Sequence, residues 1–232
     1  VQAGNTGELV RIKQNYSRML VPSGEDPFGL LSILSSIQPE KEISDQAVVE
    51  LHQRYPFDLE KIATYLSSFT ATGMWPDINY EDKKRSGWEP KLHAERILEL
   101  VKLYNSKQTD YYHSQEVEKV IHKALDYWFT AKPVCLNWWY NQIGIPKTLG
   151  TAFILFEEKL TPAEKQKAIT VMENAKFGMT GQNKVWLAGN VMMRALLQND
   201  YELVKMARDT IASEIVTGGA EGIKDDWCFH QH

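Results

Sequence analysis

The chain has 232 residues and a mass of 26.6 kDa; 43% of the residues are apolar, 24% are charged, and the formal net charge is -4. That length holds one large domain or two small ones, and the mild acidity leaves nucleic-acid binding without bulk support. No apolar run reaches membrane-spanning length, and Cys135 and Cys228 are too few for a disulfide framework and match no zinc spacing.

Val1-Gln2-Ala3-Gly4-Asn5 lacks the charged start and apolar stretch of a secretory leader. The first residue is not Met, so the chain reads as a processed or partial one. Leu9, Ile12, Lys13, Tyr16 and Leu20 predict one helix, which stops at Pro22-Ser23-Gly24. Residues 28–37 are apolar and Ser-rich, and a segment over 45–54 runs from a helix-start signal at Ser44 to the break at Tyr55-Pro56. Asp58 is the expected N-cap of a helix carrying Leu59, Ile62, Leu66 and Phe69. Residues 1–69 are therefore read as an N-terminal helical part, and 70–232 as the main unit.

Residues 70–90 predict a long loop, rich in turn formers and carrying Trp75 and Trp88. Helices are expected from 91 to about 104, and from Ser114 to the stop at Pro133. Residues 137–144 read as a loop running into a helix that holds Leu149, Phe153 and Phe156. Thr161-Pro162-Ala163-Glu164 carries a helix-start signature, with Thr as cap, Pro at the first helical position and Glu at the third. After a polar loop at 177–183, helices are expected over 185–197 and from the Asp200 cap to about 216, with a Gly-rich stop beyond. Strand-like alternation is absent. The expected fold is all-α, made of helical hairpins whose polar-aromatic loops gather at one end, as in an α/α toroid or an α-solenoid.

The densest chemistry lies in Asn137-Trp138-Trp139-Tyr140-Asn141-Gln142. Aromatic faces cover the C–H surface of a sugar ring and amides bond its hydroxyls; a Trp-rich core helix explains the same residues. Asn183 offers an amide donor to a carboxylate, or a helix cap. His230-Gln231-His232 is a weak metal pair, and Asp225 and Asp226 leave a divalent cation open, although no cofactor is required by the sequence. A neutral His there also suits proton abstraction. Asp77 and Asp226 are candidates for the carboxylate pair of an inverting helical-barrel glycosidase.

Three ordered stretches resemble the chondroitin and hyaluronate lyases: Asn137-Trp138-Trp139 with Ile143-Gly144-x-Pro146, Thr180-Gly181-Gln182-Asn183, and Gly222 to His232. Gly73-Met74-Trp75-Pro76-Asp77-Ile78-Asn79-Tyr80, Trp88-Glu89-Pro90 and His93 are similar to the same family, so the resemblance covers roughly residues 70 to 232. Broad-specificity chondroitin sulfate lyases of the ABC type look most alike. The resemblance implies the toroid portion of an enzyme that cleaves chondroitin sulfate, dermatan sulfate or hyaluronan by β-elimination at the uronic acid. It implies that Asn183 binds the uronate carboxylate and that His232 assists or takes the C5 proton. It implies that Trp138 and Trp139 seat the chain, with Asn137 and Trp75 as further substrate contacts. An acidic polysaccharide partner and a secreted or periplasmic location follow from the same likeness. In that family a Tyr, an Arg and a Glu lie beyond the His, and β-sheet domains follow; the sequence stops at His232. A fragment of a longer enzyme is the reading, with lyase activity impaired or absent in this chain alone. The other readings are a binding-only helical module, the glycosidase and an α-solenoid interaction protein.

Overall fold

The computed structural model describes residues 2–21, 57–217, 222–224 and 228–230. They form eight α-helices: α1 (Gln2–Leu20), α2 (Leu59–Ser68), α3 (Lys91–Asn105), α4 (Gln115–Ala131), α5 (Ile145–Leu155), α6 (Pro162–Met172), α7 (Gly181–Gln198) and α8 (Tyr201–Ala212). A π-helical turn, Tyr140–Gly144, leads directly into α5. The expected segment at 45–54 lies outside the described residues.

The helix starts read from the sequence are built as side-chain caps. Asp58 accepts the Lys61 N–H at 3.0 Å, Ser114 the Val117 N–H at 3.5 Å, and Asp200 the Leu203 N–H at 3.0 Å. Thr161 and Glu164 form a reciprocal capping box. Each cap satisfies donors that the first turn leaves orphaned, and each is worth about 1 kcal/mol. Three boundaries differ from expectation. Residues 137–144 are not a plain loop, because helical turns begin at Trp138. Helix α7 begins at Gly181 instead of 185, and α8 ends at Ala212 instead of near 216.

Helix α5 is the hub. Nearly all its side chains are buried, as expected of a helix that is apolar all round. It packs against α1, α3, α6 and α7, while α3 also meets α4, and α7 meets α6 and α8. The core runs through Ile97, Leu100 and Tyr104 of α3, Ile121 and Leu125 of α4, Phe153 of α5 and Leu196 of α7. Burying each of these large side chains stabilises the fold by about 1.5–3 kcal/mol. Helix α1 joins the same core through Leu9, with Tyr16 Oη 2.9 Å from Thr151 Oγ1 and Lys13 paired to Glu157 at 2.7 Å.

The chain leaves α8 for a two-residue antiparallel ribbon, β1 (Gly222–Ile223) and β2 (Phe229–His230), in which Gly222 faces His230 and Ile223 faces Phe229. The sequence reading did not anticipate this ribbon. A two-residue strand is too short to show the alternation that marks strands in sequence.

Candidate functional site

The aromatic strip is held by its amides. Asn141 clasps the backbone of Cys135: its Oδ1 accepts the Cys135 N–H at 2.9 Å and its Nδ2 donates to the Cys135 carbonyl at 2.8 Å. The Asn137 Oδ1 accepts the Trp139 N–H at 3.1 Å, and its Nδ2 donates to the Arg85 carbonyl at 3.1 Å. Asn is favoured at such helix starts because its short side chain reaches the next backbone N–H groups. One N–H of the Asn137 amide remains for a ligand.

Of the two indoles on this strip, one is exposed and one is packed on the turn. Trp138 is 39% exposed. Trp139 is half-buried, with its ring edge-on to Tyr140 at 5.6 Å and to Trp186 at 5.9 Å between centroids. Its plane rests on Gly144, where an added Cβ would fall 2.8 Å from Trp139 Cζ3. A π-turn brings residues five apart over one another, so the glycine is what lets this ring lie flat on the turn. Asn190, buried in α7, donates to the Ile143 carbonyl at 3.0 Å and ties that turn to the next helix.

Trp186 links the strip to Asn183. Both lie on α7, three residues apart and therefore on one face. The Asn183 amide is partly exposed and makes no hydrogen bond among the described residues. The Lys147 ammonium lies 5.6 Å from the centre of the Trp186 ring, within cation–π range. The structure thus sets Trp139 against Trp186, a ring that sequence reasoning passed over and that shares its helix face with Asn183. The available signal was the spacing of Trp186 from Asn183. Asn183 also stands in the first turn of a helix, not in a loop. Gly181 opens that helix with φ +56, and its N–H donates to Glu214 Oε2 at 2.8 Å.

Trp75 must be reassigned. It is fully buried, in contact with the rings of Phe69 (4.9 Å), His93 (4.9 Å) and Tyr65 (6.2 Å), and its indole N–H donates to the Tyr65 carbonyl at 2.9 Å. No face of it is left for a ligand; the loop carrying it packs inward because Gly73, at φ +86, sits against the α4 backbone, where a Cβ would meet the Lys123 carbonyl at 2.5 Å. His93 is buried beside it. Its Nε2 donates to the Ala124 carbonyl at 2.9 Å, so its Nδ1 accepts from the Tyr80 hydroxyl at 2.9 Å. Burial pushes its pKa down to about 4, so it stays neutral at ordinary pH.

Asp77 is engaged as well. Arg96 grips it in a two-point pair at 2.8 and 2.5 Å, and this guanidinium holds the carboxyl below its usual range. A glycosidase acid needs the opposite shift. Asp225, Asp226 and His232 lie outside the described residues, as does the side chain of His230. Among the described residues no three His, Cys, Asp or Glu side chains are arranged to hold a metal ion, and no helix is long and apolar enough to cross a membrane. Neither Cys135, which is buried, nor Cys228, which is exposed, is in a disulfide. A separate open depression of about 410 Å³ lies between Gly73, His122 and Glu164. Its central pair, His122 Nδ1 and Glu164 Oε1 at 2.7 Å, is an internal contact that also serves the Thr161 capping box.

Comparison with known proteins places this geometry. Residues 39–232 match the family described as polysaccharide lyase family 8, N-terminal alpha-helical domain. Chondroitinase-AC of Pedobacter heparinus is 29% identical over 181 residues, spanning 75% of this chain and 26% of its own length. Hyaluronate lyase HylB of Enterococcus faecalis is 21% identical over 267 residues, spanning 96% of this chain and 26% of its own length. A solved chondroitinase AC lyase from a study of enzyme–oligosaccharide complexes superposes with a TM-score of 0.65 at 28% identity, covering 76% of this chain and 27% of that one. The chain therefore spans about a quarter of the length of these relatives. Its helical array is part of an α/α toroid, and the chain belongs to polysaccharide lyase family 8, of which it carries the N-terminal α-helical domain.

Proposed function

We propose that this domain supplies the substrate seat and the carboxylate-binding amide of a lyase that cleaves acidic polysaccharides by β-elimination at a uronic acid. The observation that carries the reading is the set Trp138, Trp139, Trp186 and Asn183: one exposed and two half-buried rings, the last of them on the same helix face as an amide that makes no hydrogen bond among the described residues. The rings would cover the C–H faces of successive sugars. The Asn183 amide would donate to the uronate carboxylate as charge builds on it, which acidifies the C5 proton. His232 would assist that neutralisation or take the proton, and the bond to O4 would break to leave a 4,5-unsaturated sugar.

Chondroitin sulfate, dermatan sulfate and hyaluronan are the proposed substrates, with breadth of the ABC type as the finer part of the reading. The relatives named chondroitinase and hyaluronate lyase support the substrate class. A location outside the cytoplasm, where such polymers occur, belongs to the same proposal, as does a division near residue 70 between an N-terminal part and the catalytic toroid.

The test is ultraviolet absorbance of unsaturated product when the protein carrying this chain meets each of the three polymers. New absorbance that is lost in Asn183→Ala supports the proposal. Saturated products would sink it in favour of hydrolysis. Binding by calorimetry with no new absorbance would assign the chain to a glycan-binding module.

A further inference from the structure

The proposed carboxylate-binding turn already holds a carboxylate of the protein's own. Thr180, the residue before α7, makes no side-chain cap. One donor of the first turn is met instead from 33 residues away: Glu214 Oε2 accepts the Gly181 N–H at 2.8 Å, and its Oε1 accepts from the Lys184 ammonium at 2.6 Å. The pair is largely shielded, with Glu214 at 14% and Lys184 at 25% side-chain exposure. Glu214 follows α8 directly, on the stretch that runs into the ribbon preceding His232. One carboxylate thus ties the helix bearing Asn183 to the segment leading to the proposed base.

From this geometry we infer that Glu214 is a positioning residue for Asn183, and that Lys184 neutralises it so that a substrate uronate can bind at Asn183 in the same first turn. The inference rests on the lyase reading and adds two residues to it. The logic is electrostatic. An oriented acceptor at Gly181 fixes where the first turn starts, and so where the Asn183 amide points. A bare anion in that place would repel the very group that Asn183 is to bind. Its ammonium partner removes that penalty, and the same ammonium holds the Glu214 carboxyl below its ordinary range.

The experiment is calorimetric binding of a chondroitin tetrasaccharide, and of its carboxyl-reduced counterpart, to the protein carrying this chain and to five variants. Lys184→Met should weaken the uronate sugar about tenfold and the reduced sugar little, because two like charges at one helix end repel in partly shielded surroundings. Lys184→Met combined with Glu214→Gln should regain most of that loss, since Gln keeps an acceptor for Gly181 and drops the charge. Glu214→Gln alone should stay near wild type, and Glu214→Ala should lose affinity for the uronate sugar. Thermal unfolding of each variant separates folding from binding. Equal losses on both sugars in Lys184→Met, or no recovery in the double variant, would overturn the inference. Wild-type protein that binds neither sugar, or Asn183→Ala that binds the uronate sugar unchanged, would overturn the lyase reading and the inference with it.

Discussion

The loop at 70–90 and the strip at 135–147 use the same vocabulary: Trp, Asn, Gly and Pro in close succession. The first is sealed and the second is open. Trp75 and Trp88 are 0% and 1% exposed, and their indole N–H groups donate to the carbonyls of Tyr65 and Asp82. Trp138 is 39% exposed, and neither its indole nor that of Trp139 has a hydrogen-bond partner among the described residues. A buried indole N–H must be paired or it costs desolvation energy; an open one is free to meet a ligand. For these four tryptophans the fate of the indole N–H separates the sealed loop from the open strip better than the count of aromatic residues does.

Breaking the sealed side should have the largest effect. Trp75→Ala should destabilise the protein by about 3–5 kcal/mol through the cavity it leaves, measured by urea unfolding. Next is the neighbouring His93. Its unfolded imidazole protonates near pH 6.5 and the folded one only near 4, so the unfolded state binds more protons in between. Stability should be complete above pH 6.5 and fall as the pH drops toward 4, by about 3 kcal/mol in all. His93→Gln should flatten that part of the pH–stability curve; an unchanged curve would show that His93 is not buried neutral.

On the open side, Gly144→Ala should cost about 1–3 kcal/mol by overpacking, because its Cβ would press on the Trp139 ring. It should also weaken glycan binding by displacing that ring. Trp138→Ala should change stability by about 0.5 kcal/mol or less, yet weaken binding about tenfold, since stacking on an aromatic face is worth about 1 kcal/mol or more. Equal effects of Trp75→Ala and Trp138→Ala on stability would erase the distinction between the two regions.

Local chemistry made much of the fold legible. Asp58, Ser114, Thr161 and Asp200 cap their helices as read, because a short polar side chain reaches the donors two or three residues ahead whatever lies around it. One missed boundary lies where a distant residue intervenes. Helix α7 starts at Gly181 because Glu214, 33 residues on, supplies the cap that Thr180 does not. Asn183 and the Trp138–Trp139 pair were legible as polar and aromatic groups in order along the chain. Trp186 was not, because its place beside Trp139 depends on α5 packing against α7.

By itself the sequence determined the all-helical class, the caps, and the residue types able to hold a sugar acid, since these follow from periodicity and from chemistry within a few residues. Tertiary structure decided which tryptophans face solvent and which carboxylate guards the first turn of α7. Burial and long-range hydrogen bonding depend on which helices meet, and no local pattern encodes that.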